Sequence, residues 1–379
     1  IRLGIRPDQA EIIPQLSHRM LGAPGGLMGG RWEAGISTLF LHRGDDDEQD
    51  MERTSLDLGW ERRFVADSGL VTRLHTGGRA DYYKIRDNIL IAPGQPDDTE
   101  DFRGAFVANL TTSYPVQKRL GDNMSWLVEP VVGASYSPPQ DENEVDIPNE
   151  DSLDIQIDTL NLFDDNRFPG SDRQEDDLRL NYGLKSGLYA DSGRYGRVFL
   201  GQTRRFDDAS YYPDGSGLED KPSAYVGQIN LGLLKRMQAD YRFQLDNDNF
   251  ASQRHEFRST GVIGPLTTGL RYFYINGITG TGYTETREQG EVTAEYRFTP
   301  LWRGYGSALH DLGEEPGLRR ASLGLGYQDE CFTFALEGAR NLTIDAAGES
   351  ETVLLARIGF KNIGEFSGPE ILLKSAEEE

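Results

Sequence analysis

The chain has 379 residues, of which 37% are hydrophobic, and its net charge is −23. This acidic balance argues against nucleic acid as a partner, because a nucleic-acid-binding face needs an excess of lysine and arginine. A transmembrane helix is excluded, since no run of about 18 apolar residues occurs. No basic and apolar leader opens the chain at Ile1, so a signal peptide is expected to have been removed or to lie outside this sequence.

Seventeen predicted strands follow one another along the chain, and each is about ten residues long and bounded by polar turns. Their centres lie near Leu16, Ile36, Leu58, Leu74, Ala108, Val131, Tyr182, Val198, Ile229, Tyr241, Phe257, Leu270, Ala294, Gly306, Leu323, Phe334 and Leu355. Some connections are short and others long, and short turns on one rim with long loops on the other are typical of outer-membrane proteins. The long connections are Gly22–Gly30, Ile85–Phe102, Ser137–Gln174 and Asp207–Lys221.

The predicted strands alternate apolar and polar residues. Between Met237 and Asp246 every second residue is apolar, and the same period recurs at Leu178–Lys185 and Val292–Phe298. A strand turns successive side chains to opposite faces, so each segment has one apolar and one polar face. The pattern predicts an all-β fold, a transmembrane antiparallel β-barrel of the outer-membrane type over residues 1–364 with a polar tail at 365–379. A soluble sandwich has the same period and stays open as an alternative.

Charged residues on the polar faces are predicted to face a wet lumen, because an arginine or lysine facing lipid at mid-membrane costs about 2–4 kcal/mol. Two readings remain open. The charges either fill the lumen with cross-strand ion pairs or line a path for a polar or anionic substrate. The predicted lumen cations are Arg179, Lys185, Arg242, Arg271, Arg297 and Arg320.

Motifs of catalysis and of metal binding are missing from the sequence. The five histidines lack a H-x-x-x-H spacing, and no G-x-S-x-G occurs. Acidic runs such as Asp45–Glu48 lack the D-x-D-x-D-G pattern of a calcium loop and are expected to be solvated. We therefore expect no cofactor, no metal and no enzymatic activity. A barrel hydrolase with dispersed catalytic residues is the least favoured hypothesis.

The block Val128–Leu184 resembles the C-terminal barrel region of the LptD family of lipopolysaccharide (LPS) assembly proteins. The resemblance rests on Asn149–Ser152, on Asn161–Phe163 and on the loop that follows. The last strand, ending at Gly364, and the cysteine-bearing segment Tyr327–Phe332 are also similar to the family. The family-motif residues of the loop are Asn166, Arg167, Phe168, Gly170, Asp172 and Arg173.

The resemblance implies a function in the outer membrane of Gram-negative bacteria. Members of this family form a large barrel behind an N-terminal periplasmic jellyroll, receive LPS from a periplasmic bridge protein and place it in the outer leaflet. A plug lipoprotein of the LptE type fills the barrel. The sugars cross the lumen while the acyl chains leave sideways, through a lateral gate, into the outer-membrane lipids. A general diffusion porin is the alternative function.

The family's jellyroll and first barrel strands are not in this sequence, so the resemblance implies the C-terminal part of a larger barrel, which would not close alone. The C-terminal strand of the lateral gate would be the one that carries Val353, Leu355, Ile358 and Phe360. Many relatives have two adjacent cysteines where this chain has Glu330 and Cys331. The resemblance implies a disulfide from Cys331 to the absent N-terminal part, and a free cysteine is the alternative.

Overall fold

The computed structural model describes residues 11–43, 49–88, 90–91, 98–139, 147–152, 155–207, 212–234, 236–279, 284–342, 351–361, 364–367 and 371–374. Their regular structure consists of β-strands and one short 3-10 helix, Leu27–Gly29. The ladders between the strands are antiparallel, so the predicted all-β antiparallel fold is confirmed. Across these same ranges, no helix is long and apolar enough to cross a membrane.

The strands have the following bounds. The first nine are β1 (Glu11–Leu21), β2 (Arg31–His42), β3 (Asp50–Val65), β4 (Val71–Arg86), β5 (Thr99–Ser113), β6 (Val116–Leu120), β7 (Met124–Ser137), β8 (Asp177–Ala190) and β9 (Tyr195–Arg205). The others are β10 (Tyr225–Leu234), β11 (Met237–Leu245), β12 (Ser252–Ile263), β13 (Leu266–Ile275), β14 (Arg287–Arg297), β15 (Trp302–Asp311), β16 (Gly317–Gln328), β17 (Phe332–Asn341), β18 (Glu351–Phe360), β19 (Gly364–Ser367) and β20 (Ile371–Lys374).

All seventeen predicted strand centres lie inside strands. The structure adds the short strands β6, β19 and β20, which have five, four and four residues. Strands this short show too few alternations for a period of two to stand out. The last two lie where a polar tail was expected after Gly364, and the apolar run Ile371–Leu373 explains why the chain pairs there.

The chain divides into two compact units. Unit 1 comprises Ile1–Val116, Val128–Leu184 and Gly201–Ser223. In unit 1, each strand from β1 to β5 pairs with the next one along the chain, and β5 then pairs with β7. The small apolar core of this unit consists of buried side chains of β2, β3 and β4. They are Leu41, Met51, Tyr83 and Ile85.

Unit 2 comprises Gln117–Leu127, Lys185–Leu200 and Ala224–Glu379. Its strands from β10 to β18 again pair in chain order. Strand β18 pairs with β17 on one side and with both β19 and β20 on the other. Tight turns between most of these strands account for the simple order, because a short turn leaves the next strand no other neighbour.

The polarity of the two sheet faces is inverted relative to a water-soluble protein. In β5, Phe102 is 73% exposed and Phe106 is also exposed, whereas Arg103 on the other face is 2% exposed and Asn109 is buried. In unit 2, Leu323 is 76% exposed. A soluble sandwich buries its apolar faces and exposes its charges. The sandwich alternative is therefore wrong, and contiguous apolar surface of this kind is typical of proteins that contact lipid.

Candidate functional site

The polar face of β3, β4 and β5 carries a buried charge cluster in unit 1. Cross-strand register places Ser55 opposite Asp81, and Asp81 opposite Arg103. The Asp81 carboxylate accepts a hydrogen bond from Arg103 Nη2 at 2.7 Å and from Arg79 Nε at 2.8 Å. Since a buried charge is costly unless it is paired, these arginines are the reason that Asp81 is tolerated here.

The connection between β7 and β8 lies over this polar face. We call residues 147–152 and 155–175 the covering segment. Its Asp172 forms an ion pair with Arg53 of β3 and accepts a hydrogen bond from the Tyr83 hydroxyl of β4 at 3.2 Å. Arg103 of β5 donates to the Ser171 carbonyl at 2.8 Å and also to the Asp172 carbonyl. Three adjacent strands thus bind one short stretch of the segment.

Backbone contacts shape the same stretch from within. One oxygen of the Asp151 carboxylate accepts hydrogen bonds from the amides of Ser171 and Asp172, each at 2.5 Å. Gly170 sits between these groups and Asp151 with a φ of +81°. A Cβ at this position would collide with the Asp151 carboxylate. The glycine of the family motif is therefore required both by its backbone conformation and by this close approach.

A second buried cluster joins the end of the covering segment to β8. Glu175 pairs with Arg167 Nη2 at 2.6 Å and with Arg179 Nη1 of β8 at 2.8 Å. The Tyr212 hydroxyl also donates to Glu175, and the Tyr212 ring stacks on Phe168 with centroids 5.6 Å apart. Burial raises the pKa of Glu175, but the two arginines outweigh it and lower the pKa to about 2.

The remaining family-motif residues, Asn166 and Arg173, form hydrogen bonds within the covering segment. Asn166 Oδ1 accepts hydrogen bonds from the amides of Phe168 and Glu175, and its Nδ2 donates to the Arg173 carbonyl at 2.9 Å. Arg173 thus takes part through its backbone. The structure brings five of the six motif residues into these contacts through side chains or a required glycine, and the sixth through its carbonyl.

These two clusters hold the covering segment in place, and their buried charges form ion pairs with one another. Burial raises the pKa of Asp172, Arg53 lowers it, and the nearby Asp151 carboxylate raises it again, so that the net shift is upward. Across the described ranges, no three or more His, Cys, Asp or Glu side chains are placed to hold a metal ion. The cluster is suited to fixing the covering segment over the sheet.

The predicted lumen cations of unit 2 share one face of its sheet. Register places Arg271 opposite Glu291, and Arg320 lies opposite Leu309, which itself faces Glu291. Arg297 has the same parity as Glu291 along β14 and pairs with Glu295 at 3.1 Å. Of the two cations predicted on β8, Arg179 is buried against Glu175, whereas Lys185 is exposed.

An open groove of about 710 Å³ lies on this face of unit 2. It is lined by charged residues of β11 to β14. Arg242 faces Glu256 across β11 and β12, with 3.7 Å between Nη2 and Oε2. Arg271 donates to Glu291 at 2.9 Å. The charged lining residues are Asp240, Arg242, Glu256, Arg258, Arg271 and Glu291.

The four residues predicted for the gate strand divide between the two faces of β18. Val353 lies opposite Ala339 and Leu355 opposite Glu337, on the polar face. Ile358 and Phe360 are exposed on the other face. Cys331 is an exposed free cysteine at the turn between β16 and β17, and its amide donates to Asp329 at 2.8 Å.

Sequence reasoning missed the partners that hold the covering segment. The polar faces of the predicted strands carry these partners, which are Arg53, Asp81, Tyr83 and Arg103. Their alternation with exposed apolar residues such as Leu56 and Phe102 was enough to assign them to that face. Their pairing with Asp172 was not readable, because Arg53 and Asp172 are 119 residues apart in the chain.

Comparison with known proteins gives one family. A family model for LptD, described as LPS transport system D, matches residues 7–302. The LPS-assembly protein LptD of Nitrosomonas eutropha is 25% identical over 271 residues, covering 69% of this chain and 35% of its own length. That of Pseudomonas fluorescens is 31% identical over 142 residues, covering 37% of this chain and 15% of its own. The chain therefore spans about a third or less of these relatives.

Solved structures that align with the chain include two mutants of Rh. blastica porin. They are 10% and 8% identical, cover 93% and 95% of this chain and 100% of their own lengths, and have TM-scores of 0.31 and 0.30. The family model extends over most of the chain, including the covering segment with its motif residues. The chain belongs to the LptD family, a family of LPS transport and assembly proteins.

Proposed function

We propose that this chain forms part of the wall of an outer-membrane β-barrel that moves LPS into the outer leaflet of a Gram-negative bacterium. The supporting observation is the inverted polarity of the strands within a member of the LptD family. Exposed leucine and phenylalanine on one face suit lipid, and arginine and carboxylate on the other suit water. LPS needs both environments, because its sugars are polar and anionic and its acyl chains are not.

In this proposal the polar faces form the wet path. Arg242, Arg271, Arg297 and Arg320 lie on one face in unit 2 and attract anionic sugars, and Lys185 contributes from β8. Arg179 has a different task, since its charge is neutralised by Glu175 beneath the covering segment. The segment narrows the path on the polar face of unit 1.

The lateral gate is proposed at β18. Strand β18 shares ten residue pairs with β17 but only four with β19 and four with β20. Fewer ladder hydrogen bonds must break on the second side for a seam to open toward lipid. Ile358 and Phe360 would then meet the acyl chains, while Val353 and Leu355 border the wet side.

The partners proposed for the whole protein are LPS, a plug lipoprotein of the LptE type, a periplasmic bridge protein and the outer-membrane lipids. Cys331 is proposed to form a disulfide with a cysteine outside this sequence, because the periplasm is oxidising and the thiol is exposed at a turn. A mobility shift of the full-length protein on non-reducing gels that disappears in Cys331→Ser would support this bond, and an unchanged mobility would exclude it.

Site-specific photocrosslinking in cells tests the transport function. We expect a crosslinker at Arg242 or Arg297 of the full-length protein to capture LPS while LPS is being supplied. A crosslinker at exposed Leu323 is the control, because it faces lipid and should capture membrane LPS even after the supply is stopped. Persistence of the Arg242 adduct without supply, or its absence together with the conductance of an open pore, would favour a diffusion porin.

A further inference from the structure

Two arginines of the unit 2 groove face each other directly. Register places Arg258 of β12 opposite Arg271 of β13 on the polar face. Directly opposed side chains in an antiparallel pair have Cβ atoms about 4.5–5.5 Å apart, and like charges at that distance repel. This arrangement weakens the pairing of β12 and β13 and calls for an explanation.

The acidic side chains of the groove are already engaged elsewhere. Asp240 lies opposite Arg258 across β11 and β12, but its carboxylate accepts hydrogen bonds from Asn230 and from Gln228, the latter at 2.7 Å, and pairs with Arg242 at 3.5 Å. Glu291 accepts from Arg271 at 2.9 Å. Glu256 is shared between Arg254 and Arg242. Among the described residues, no hydrogen bond or ion pair engages the guanidinium of Arg258.

The groove carries balanced charges within a strongly acidic chain. Its charged lining residues are three arginines, Arg242, Arg258 and Arg271, and three carboxylates, Asp240, Glu256 and Glu291, whereas the whole chain carries −23. Because the carboxylates are bound to other side chains, the positive charge that no partner engages within the described part of the chain lies at Arg258. A guanidinium offers a planar fork of donors that matches the oxygens of a phosphoryl group. An anion between Arg258 and Arg271 would also relieve their repulsion.

We propose that Arg258 and Arg271 together bind a phosphoryl group carried by a sugar. The groove volume, about 710 Å³, lies within the range that holds small ligands. The Asp240 and Glu256 carboxylates keep further lone pairs beside their present bonds and can accept hydrogen bonds from sugar hydroxyls. The Gln289 amide, which also lines the groove, can accept or donate them. If this pair binds a transported glycolipid, the inference rests on the proposed function. The claim that the pair binds an anion rests only on the residues of the groove.

Titration of glucosamine 1-phosphate into the purified full-length protein, followed by ³¹P NMR, tests this site. We expect Arg258→Gln and Arg271→Gln each to weaken binding at least tenfold. Arg303→Gln is the matched control, because Arg303 also faces an arginine, Arg297, on the same sheet face but lies outside the groove, and this variant should change affinity less than twofold. Heat-modifiable mobility on gels checks that each variant is folded.

Equal affinity of wild type and Arg258→Gln would overturn the proposal. Glucosamine should not bind, and inorganic phosphate should bind at least tenfold more weakly than the sugar phosphate. Equal binding of inorganic phosphate would refute a sugar-phosphate site. Delivery of LPS to the cell surface is measured separately. If the protein delivers no LPS and Arg258→Gln still abolishes phosphate binding, the transport function fails and the anion site stands.

Discussion

Replacing Glu175 with glutamine removes the charge that holds two buried arginines at the end of the covering segment. Arg167 and Glu175 have fully buried side chains, and the Arg179 side chain is 3% exposed. Glutamine keeps the size of the side chain but leaves the guanidiniums without a counter-charge. Removing one partner of a buried ion pair costs about 3–5 kcal/mol. The lowering of the Glu175 pKa from 4.5 to about 2 corresponds to roughly 3 kcal/mol in the same direction.

Protease cleavage within the covering segment measures this cost in the full-length protein. If opening is fast relative to cleavage, a loss of about 3 kcal/mol raises the open fraction, and hence the cleavage rate, about 150-fold. Glu291→Gln is the matched control, because it also breaks a pair with an arginine, but the Arg271 side chain is 61% exposed. Exposed pairs contribute about 0–1 kcal/mol, so this variant should change the rate less than about fivefold.

If Glu175→Gln is cleaved no faster than Glu291→Gln, the Glu175 cluster does not hold the covering segment. The Glu175→Asp variant guards against a general folding defect. It keeps the charge on a shorter side chain, so it should fall between wild type and glutamine.

Three further predictions concern Glu175, Gly170 and the exposed Leu323. Because folding lowers the pKa of Glu175, the stabilisation that this carboxylate provides is complete above pH 4.5 and is lost as the pH falls toward about 2. The rate of cleavage in the covering segment should therefore rise over that pH range in wild type. The Glu175→Gln variant should lack the part of this rise that comes from Glu175. Gly170→Ala should loosen the segment by at least about 1 kcal/mol, since it adds strain at positive φ and a clash with Asp151, and unchanged cleavage would contradict this. Leu323→Arg should destabilise insertion into lipid vesicles by about 2–4 kcal/mol, measured by urea titration, whereas an effect below 1 kcal/mol would place Leu323 away from lipid.

The family-motif residues illustrate how far the resemblance reached. It singled out six loop residues without assigning them contacts, namely Asn166, Arg167, Phe168, Gly170, Asp172 and Arg173. The structure places them in one anchored segment, with Asp172 on Arg53 and Arg167 on Glu175. The cations predicted to line one lumen lie in different environments. Arg179 belongs to the buried Glu175 cluster, whereas Arg271 lines the groove of unit 2.

The sequence alone predicts where the strands lie and that each strand has one apolar and one polar face. Both features depend on the alternation of neighbouring residues, which is a local property with a period of two. What covers each face was not readable. The contact of Arg53 with Asp172 and the opposition of Arg258 and Arg271 depend on strand register and on a loop that folds back over the sheet. Such contacts join residues that are distant in the chain, so no local pattern encodes them.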